Sequence, residues 1–212
     1  MEGSAEYLVP YREAIRRHGV TRRSLLWIGA ETQEKRFDAM ARLFDFRGRT
    51  VLDAGCGTAD LLAWLVRVGK TPADYTGLEA IAEFAEAAEK RNLPSCRILR
   101  GDFLADPSRL FVGAEAVVFC GSLNTLDDRA FYASLERGLD ACADVLLFNF
   151  LSSPDRAAAT YLYWRSPAEV MRWARQLDPH ARMLDDYLEG DCTVLVKRGA
   201  DPRPLPPVRR RQ

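Results

Sequence analysis

The chain has 212 residues, enough for one sizeable domain with a real hydrophobic core. Thirty basic residues balance thirty acidic ones, so nothing global points to nucleic acid or an anionic membrane as a partner. With 48% hydrophobic residues, no apolar run approaching the roughly 18 residues of a membrane span, and no signal-peptide core, the reading is a cytoplasmic protein without a membrane partner. The five cysteines (Cys56, Cys96, Cys120, Cys142, Cys192) are an odd set without a C-x-x-C pair, so neither a disulfide scaffold nor a metal site is expected. His18 and His180 fall at a helix end and in a loop, which leaves no catalytic histidine machine to assemble.

Residues 4–18, 22–28 and 32–44 carry helical patterns. Tyr7, Leu8, Tyr11 and Ile15 share a face of the first, and Phe37, Met40, Ala41 and Phe44 a face of the third. Their arginines alternate with Glu6, Glu13, Glu31, Glu34 and Asp38, so the polar faces read as solvated surface. Residues 1–45 thus form an N-terminal helical cover on a single domain of residues 1–200. From Thr50 the pattern changes. Val51 and Leu52 suit a strand buried on both faces, Gly55 and Gly57 a tight turn that leaves bare backbone for a ligand, and Leu61, Leu62 and Leu65 a following helix. Strand, glycine turn and helix start form a nucleotide-type site. A dinucleotide fingerprint needs glycine or alanine where this chain has Asp60. A carboxylate there repels a pyrophosphate and tolerates a ligand that carries a cation. A nicotinamide-dependent oxidoreductase is disfavoured on that ground, and for want of a Tyr-x-x-x-Lys pair.

Asp53-Ala-Gly55-Cys56-Gly57-Thr-Ala59 resembles the first motif of the class I S-adenosylmethionine-dependent methyltransferases, with Ala59 replacing the third glycine. A second strand ends at Glu79, 22 positions beyond Gly57, where a carboxylate can reach both ribose hydroxyls or simply start the next helix. A third strand ends in Gly101-Asp102-Phe103. The resemblance implies that Asp102 receives the adenine amino group while Phe103 packs on the ring; the plain alternative is a Gly-Asp turn. The fourth strand, 116–120, runs into Gly121-Ser122-Leu123-Asn124, and the resemblance puts this loop beside the reactive methyl group. It lacks the [D/N/S]-P-P-[Y/F/W] sequence of enzymes that methylate base amino groups or glutamine amides. The cofactor set implied by the family is Asp53, Gly55, Cys56, Gly57, Glu79, Ala80, Asp102, Phe103 and Cys120.

A helix over 127–139 leads to a fifth strand, 144–151, holding Asn149, and then to the aromatic cluster Tyr161, Tyr163, Trp164. A helix over 167–177 and an antiparallel hairpin, 181–188 with 192–197, complete the pattern. The fold expected is α/β: a Rossmann-like three-layer sandwich whose seven-stranded, mostly parallel sheet ends in an antiparallel hairpin, with extra N-terminal helices. The proline- and arginine-rich residues 201–212 read as a disordered tail. The acceptor-side candidates are Trp27, Ser122, Asn124, Tyr161, Tyr163 and Trp164, with Arg36 as a partner for the methionine carboxylate. The function expected is methyl transfer from S-adenosylmethionine to a small molecule. The alternatives are a nucleic-acid or protein acceptor, or cofactor binding without catalysis. No feature of the sequence names an oligomeric state or a catalytic base.

Overall fold

Five short segments pair in parallel, and the three at the centre of the sheet are mainly apolar runs covered on both faces. The five are β1 (Thr50–Ala54), β2 (Asp74–Glu79), β3 (Cys96–Arg100), β4 (Ala116–Phe119) and β5 (Val145–Leu151). Strands β6 (Arg182–Leu184) and β7 (Asp191–Lys197) complete a seven-stranded sheet of order β3-β2-β1-β4-β5-β7-β6. Only β7 runs against its neighbours, pairing antiparallel with β5 and with β6. The computed structural model describes residues 5–199 of the chain. The expected tail at 201–212 lies outside the described residues.

The period-2 alternation of the strands divides the core into two layers. In β4, Val117 and Phe119 point to one face with Leu52, Phe131 and Val170, while Ala116 and Val118 point to the other with Phe37, Met40 and Leu62. Helices α5 (Asp128–Ala141) and α6 (Pro167–Leu177) therefore cover the first face. Helices α2 (Ala30–Leu43) and α3 (Asp60–Arg67) cover the second, together with α4 (Ala82–Lys90). Helix α1 (Val9–His18) follows a 3-10 turn, Glu6–Leu8, whose Leu8 packs with Ile81 and Phe84 at the start of α4.

Three local expectations change. Residues 22–28 form a series of turns and no helix, since Ser24 Oγ donates to the Thr21 carbonyl at 2.7 Å and Leu26 takes a positive φ of 60°. Such local side-chain bonding competes with helix formation. The hairpin keeps its antiparallel pairing, but β6 is three residues long. Beyond it Tyr187 turns its hydroxyl inward to Asp191 and Thr193, and residues 185–190 leave the sheet. The helical pattern opens at Thr58, but α3 starts at Asp60, because Ala59 sits at φ 57° in the left-handed region. No helix among the described residues is long and apolar enough to cross a membrane.

Candidate functional site

The carboxyl ends of β1, β2 and β4 open onto one crevice, where ligands of open α/β sheets bind. The turn after β1 is held to β2 by two bonds to the Leu78 carbonyl, from Gly55 N at 2.7 Å and Cys56 N at 3.2 Å. Gly55 has φ 78°, and a Cβ on it would fall 2.5 Å from Ser122 Cβ, so only glycine closes this turn against the β4 loop. Ala59 lacks that freedom, and its left-handed backbone costs about 1 kcal/mol.

Glu79, at the end of β2, accepts from Gly57 N through Oε2 and from Ile81 N through Oε1, both at 2.8 Å. It thus joins the glycine turn to the start of α4. Burial pushes its carboxyl up to about 7 even though these backbone donors pull the other way. Asp53, 2% exposed in β1, accepts from the Tyr75 hydroxyl through Oδ2, while its Oδ1 has no protein partner. Burial lifts this carboxyl to about 7 as well, despite the Tyr75 bond, and the negative charges of Glu79 and Asp60 add to the effect. A buried acceptor without a donor costs roughly 1–3 kcal/mol, more if it is charged. Asp53 Oδ1 is thus a buried acceptor beside the cavity with no donor from the protein.

Asp60 opens α3 and is not bare: Gln33 Nε2 donates to it at 3.0 Å and Arg91 Nη1 at 2.5 Å. The N-terminal segment closes the crevice from above. Tyr7, Tyr11, Leu25, Trp27, Gln33 and Arg36 all face it. Arg36 is buried and donates through Nε to Asp191 Oδ2 at 2.7 Å, with Nη2 on the same oxygen, and its guanidinium lies 4.8 Å from the centre of the Trp27 ring. Burial alone would weaken the Arg36 charge, but Asp191 more than restores it and the guanidinium ends above its usual value. Arg36 is thus half of a buried ion pair. From β4, Ser122 Oγ donates to the Ala54 carbonyl at 2.7 Å, and Asn149 Oδ1 accepts from Gly121 N at 2.7 Å, which ties β5 to the same loop. The Cys56 and Cys120 thiols are pushed well up by burial, so neither is a thiolate nucleophile.

Of the residues singled out from the sequence, Asp53, Gly55, Cys56, Gly57, Glu79, Ala80, Phe103 and Cys120 line this one cavity, joined by Trp27, Ser122 and Asn124. Asp102 stands behind the wall. Its Oδ1 accepts from the Tyr7 hydroxyl at 2.6 Å and from Leu104 N and Ala105 N, so it caps its own turn and anchors the cover. Tyr161, Tyr163 and Trp164 are not on the wall either. They are 38%, 42% and 48% exposed, in an irregular segment that presents Leu162 to the cavity in their place. The aromatic wall comes instead from Tyr7, Tyr11 and Trp27, and the two tyrosines on one face of the first helical pattern were its signal. Among the described residues, no group of three or more His, Cys, Asp or Glu side chains is placed to hold a metal ion.

No family model and no curated protein matches this sequence. Solved structures do resemble it. A magnesium protoporphyrin IX methyltransferase from Synechocystis PCC 6803, with bound SAH, superposes with a TM-score of 0.69 at 14% identity, covering 92% of this chain and 100% of its own. The DhpI complex with SAM and HEP gives 0.63 at 18% identity, over 93% and 100% of the two chains. A mitomycin 7-O-methyltransferase, MmcR, gives 0.66 at 19% identity, over 90% of this chain and 61% of that one. Sheet order, strand directions and these superpositions agree that the chain has the class I methyltransferase fold.

Proposed function

We propose that the protein is an enzyme that transfers a methyl group from S-adenosylmethionine to a small-molecule acceptor. The observation that carries this reading is Asp53 Oδ1, an unpartnered buried carboxylate oxygen on the wall of a cavity floored by a glycine turn. S-adenosylmethionine carries a sulfonium and an ammonium, and a nicotinamide dinucleotide offers a pyrophosphate instead. Asp53 suits the former and repels the latter.

In this reading the bare backbone of Gly55 and Gly57 lets the amino-acid end approach β1. Glu79 keeps acceptor capacity for ribose hydroxyls beside its two backbone bonds, and Ala80 and Phe103 offer apolar surface to the adenine. Arg36 faces the methionine carboxylate with Asp191 behind it. Asp102 serves the adenine end through Tyr7, which it positions. When bound, the cofactor would supply an electrophilic methyl group on a sulfonium leaving group, open to attack by a lone pair of the acceptor. The protein's own contribution is to hold the reactants in line and to exclude water, which accounts for much of the rate of such displacements. The neighbours named for small-molecule methylation support the choice of acceptor class, and the five unpaired cysteines suit a reducing cytoplasm.

The test is to incubate the protein with methyl-labelled S-adenosylmethionine and a metabolite extract. Label in the acid-soluble products supports the proposal. Label in precipitated protein or nucleic acid favours those acceptors, and tight binding with no transfer to any fraction favours a non-catalytic binding protein.

A further inference from the structure

Arg36 and Asp191 do not meet in the usual way. An arginine and a carboxylate commonly pair fork to fork, with each oxygen taking one N–H. Here Nε and Nη2 of Arg36 both donate to Asp191 Oδ2. The other oxygen, Oδ1, is turned to the Tyr187 hydroxyl, which also meets Thr193 Oγ1 at 2.7 Å. Burial and the Asp191 charge hold the Tyr187 phenol well above its usual range, so it keeps its proton and donates. Asp191 is 1% exposed and Thr193 is buried, so little solvent competes for these bonds.

The far end of the guanidinium is left for something else. Nη1 makes no hydrogen bond to the described residues and is not closed off from solvent, and Arg36 stands in the wall of the cavity. The Trp27 ring, centred 4.8 Å from the guanidinium carbon, covers one of its faces and limits its tilt. The Nη1–Nη2 fork has the planar geometry that grips a carboxylate with two parallel bonds. Were Asp191 free to use both oxygens, it could turn onto that fork and close it to a ligand.

We propose that Tyr187 is a positioning residue: by holding Asp191 Oδ1 it keeps that carboxylate on one edge of Arg36 and leaves the Nη1–Nη2 fork for the carboxylate at the methionine end of the cofactor. The inference rests on the methyltransferase reading above. It adds to that reading the connection between β6 and β7, residues 185–190, whose Tyr187 does not itself line the cavity. Discrimination then depends on a hydroxyl that never touches the ligand, acting through one carboxylate and one guanidinium.

The experiment measures, by calorimetry on the full chain, the affinities of SAH, the demethylated cofactor, and of decarboxylated SAH, which keeps the adenosine, the thioether and the amine and lacks only the carboxylate. The unaltered protein should prefer SAH by at least about tenfold. Tyr187 is half-buried, so Tyr187→Phe removes one oxygen and keeps the fold. That variant should cut the preference to about threefold or less, with decarboxylated SAH bound within about twofold of the parent. Thr193→Val leaves the bond between Tyr187 and Asp191 in place and should keep the parent's preference. A merely structural role for Tyr187 would weaken both ligands together. Full preference retained in Tyr187→Phe, an equal loss for both ligands, or the same loss of preference in Thr193→Val would each overturn the proposal. If the unaltered protein binds the two ligands alike, Arg36 takes no carboxylate, and this inference falls while the methyltransferase reading stands. If SAH itself does not bind, that reading fails first and takes this inference with it.

Discussion

Two buried carboxylates, Asp53 and Glu79, line the candidate site, and each can be tested alone. Glu79→Gln keeps the side chain's shape but removes its charge and replaces one of the oxygens that hold Gly57 N and Ile81 N. Charge-assisted bonds to ribose hydroxyls are each worth about 1.5–3 kcal/mol, so S-adenosylmethionine affinity should fall at least about tenfold, with the fold retained. Unchanged affinity by calorimetry would reduce Glu79 to a clamp between the glycine turn and α4. Asp53 makes a pH prediction. Its carboxyl and that of Glu79 stand near 7 in the folded chain, above the ordinary range of about 4 for unfolded carboxylates. Between those values the folded state holds more protons than the unfolded one, so their contribution to stability is full below about pH 4 and is lost as pH rises through about 7. Asp53→Asn should therefore flatten the fall in melting temperature between pH 5 and 8 and raise it at pH 8. A variant with the same pH profile as the parent would contradict the burial argument.

At the scale of elements, the cover is bound to the sheet by contacts distant in sequence. Arg36 of α2 meets Asp191 of β7 across 155 residues. Removing one partner leaves a buried charge uncompensated, so Arg36→Met should cost about 3–5 kcal/mol. Adding Asp191→Leu should recover most of it; a double variant no more stable than the single one would show that the pair is not the tie. These contacts also explain which parts of the structure could be read beforehand. Val51 to Leu62 was legible because strand, turn and helix start are local, and the 22-residue spacing to Glu79 follows from one strand–helix–strand unit. Asp191 was invisible as a partner of Arg36, since nothing local links them. Tyr161, Tyr163 and Trp164 misled because large aromatics suggest a wall, yet their irregular segment turns Leu162 inward. Tyr7 and Tyr11 looked like one helix's packing face. Only the folded cover shows that face closing over the crevice.

For the molecule as a whole, ligand binding should be coupled to protons. A cation placed against Asp53 lowers that carboxyl's proton affinity, so S-adenosylmethionine should release protons near pH 6.5 and bind more tightly as pH rises toward 8. Calorimetry in buffers of different ionisation enthalpy reads the released protons directly, and an absence of release would mean that no cation reaches Asp53. The most direct measurement of the central claim is the melting temperature with and without cofactor. At about 100 times its dissociation constant, a ligand specific for the folded state adds about 2.7 kcal/mol, which for a chain of this size is roughly 5–10 °C. S-adenosylmethionine and SAH should each produce that rise, and nicotinamide dinucleotides should not. A well-folded sample that shows no shift with millimolar S-adenosylmethionine, or an equal shift with a nicotinamide dinucleotide, would contradict the account.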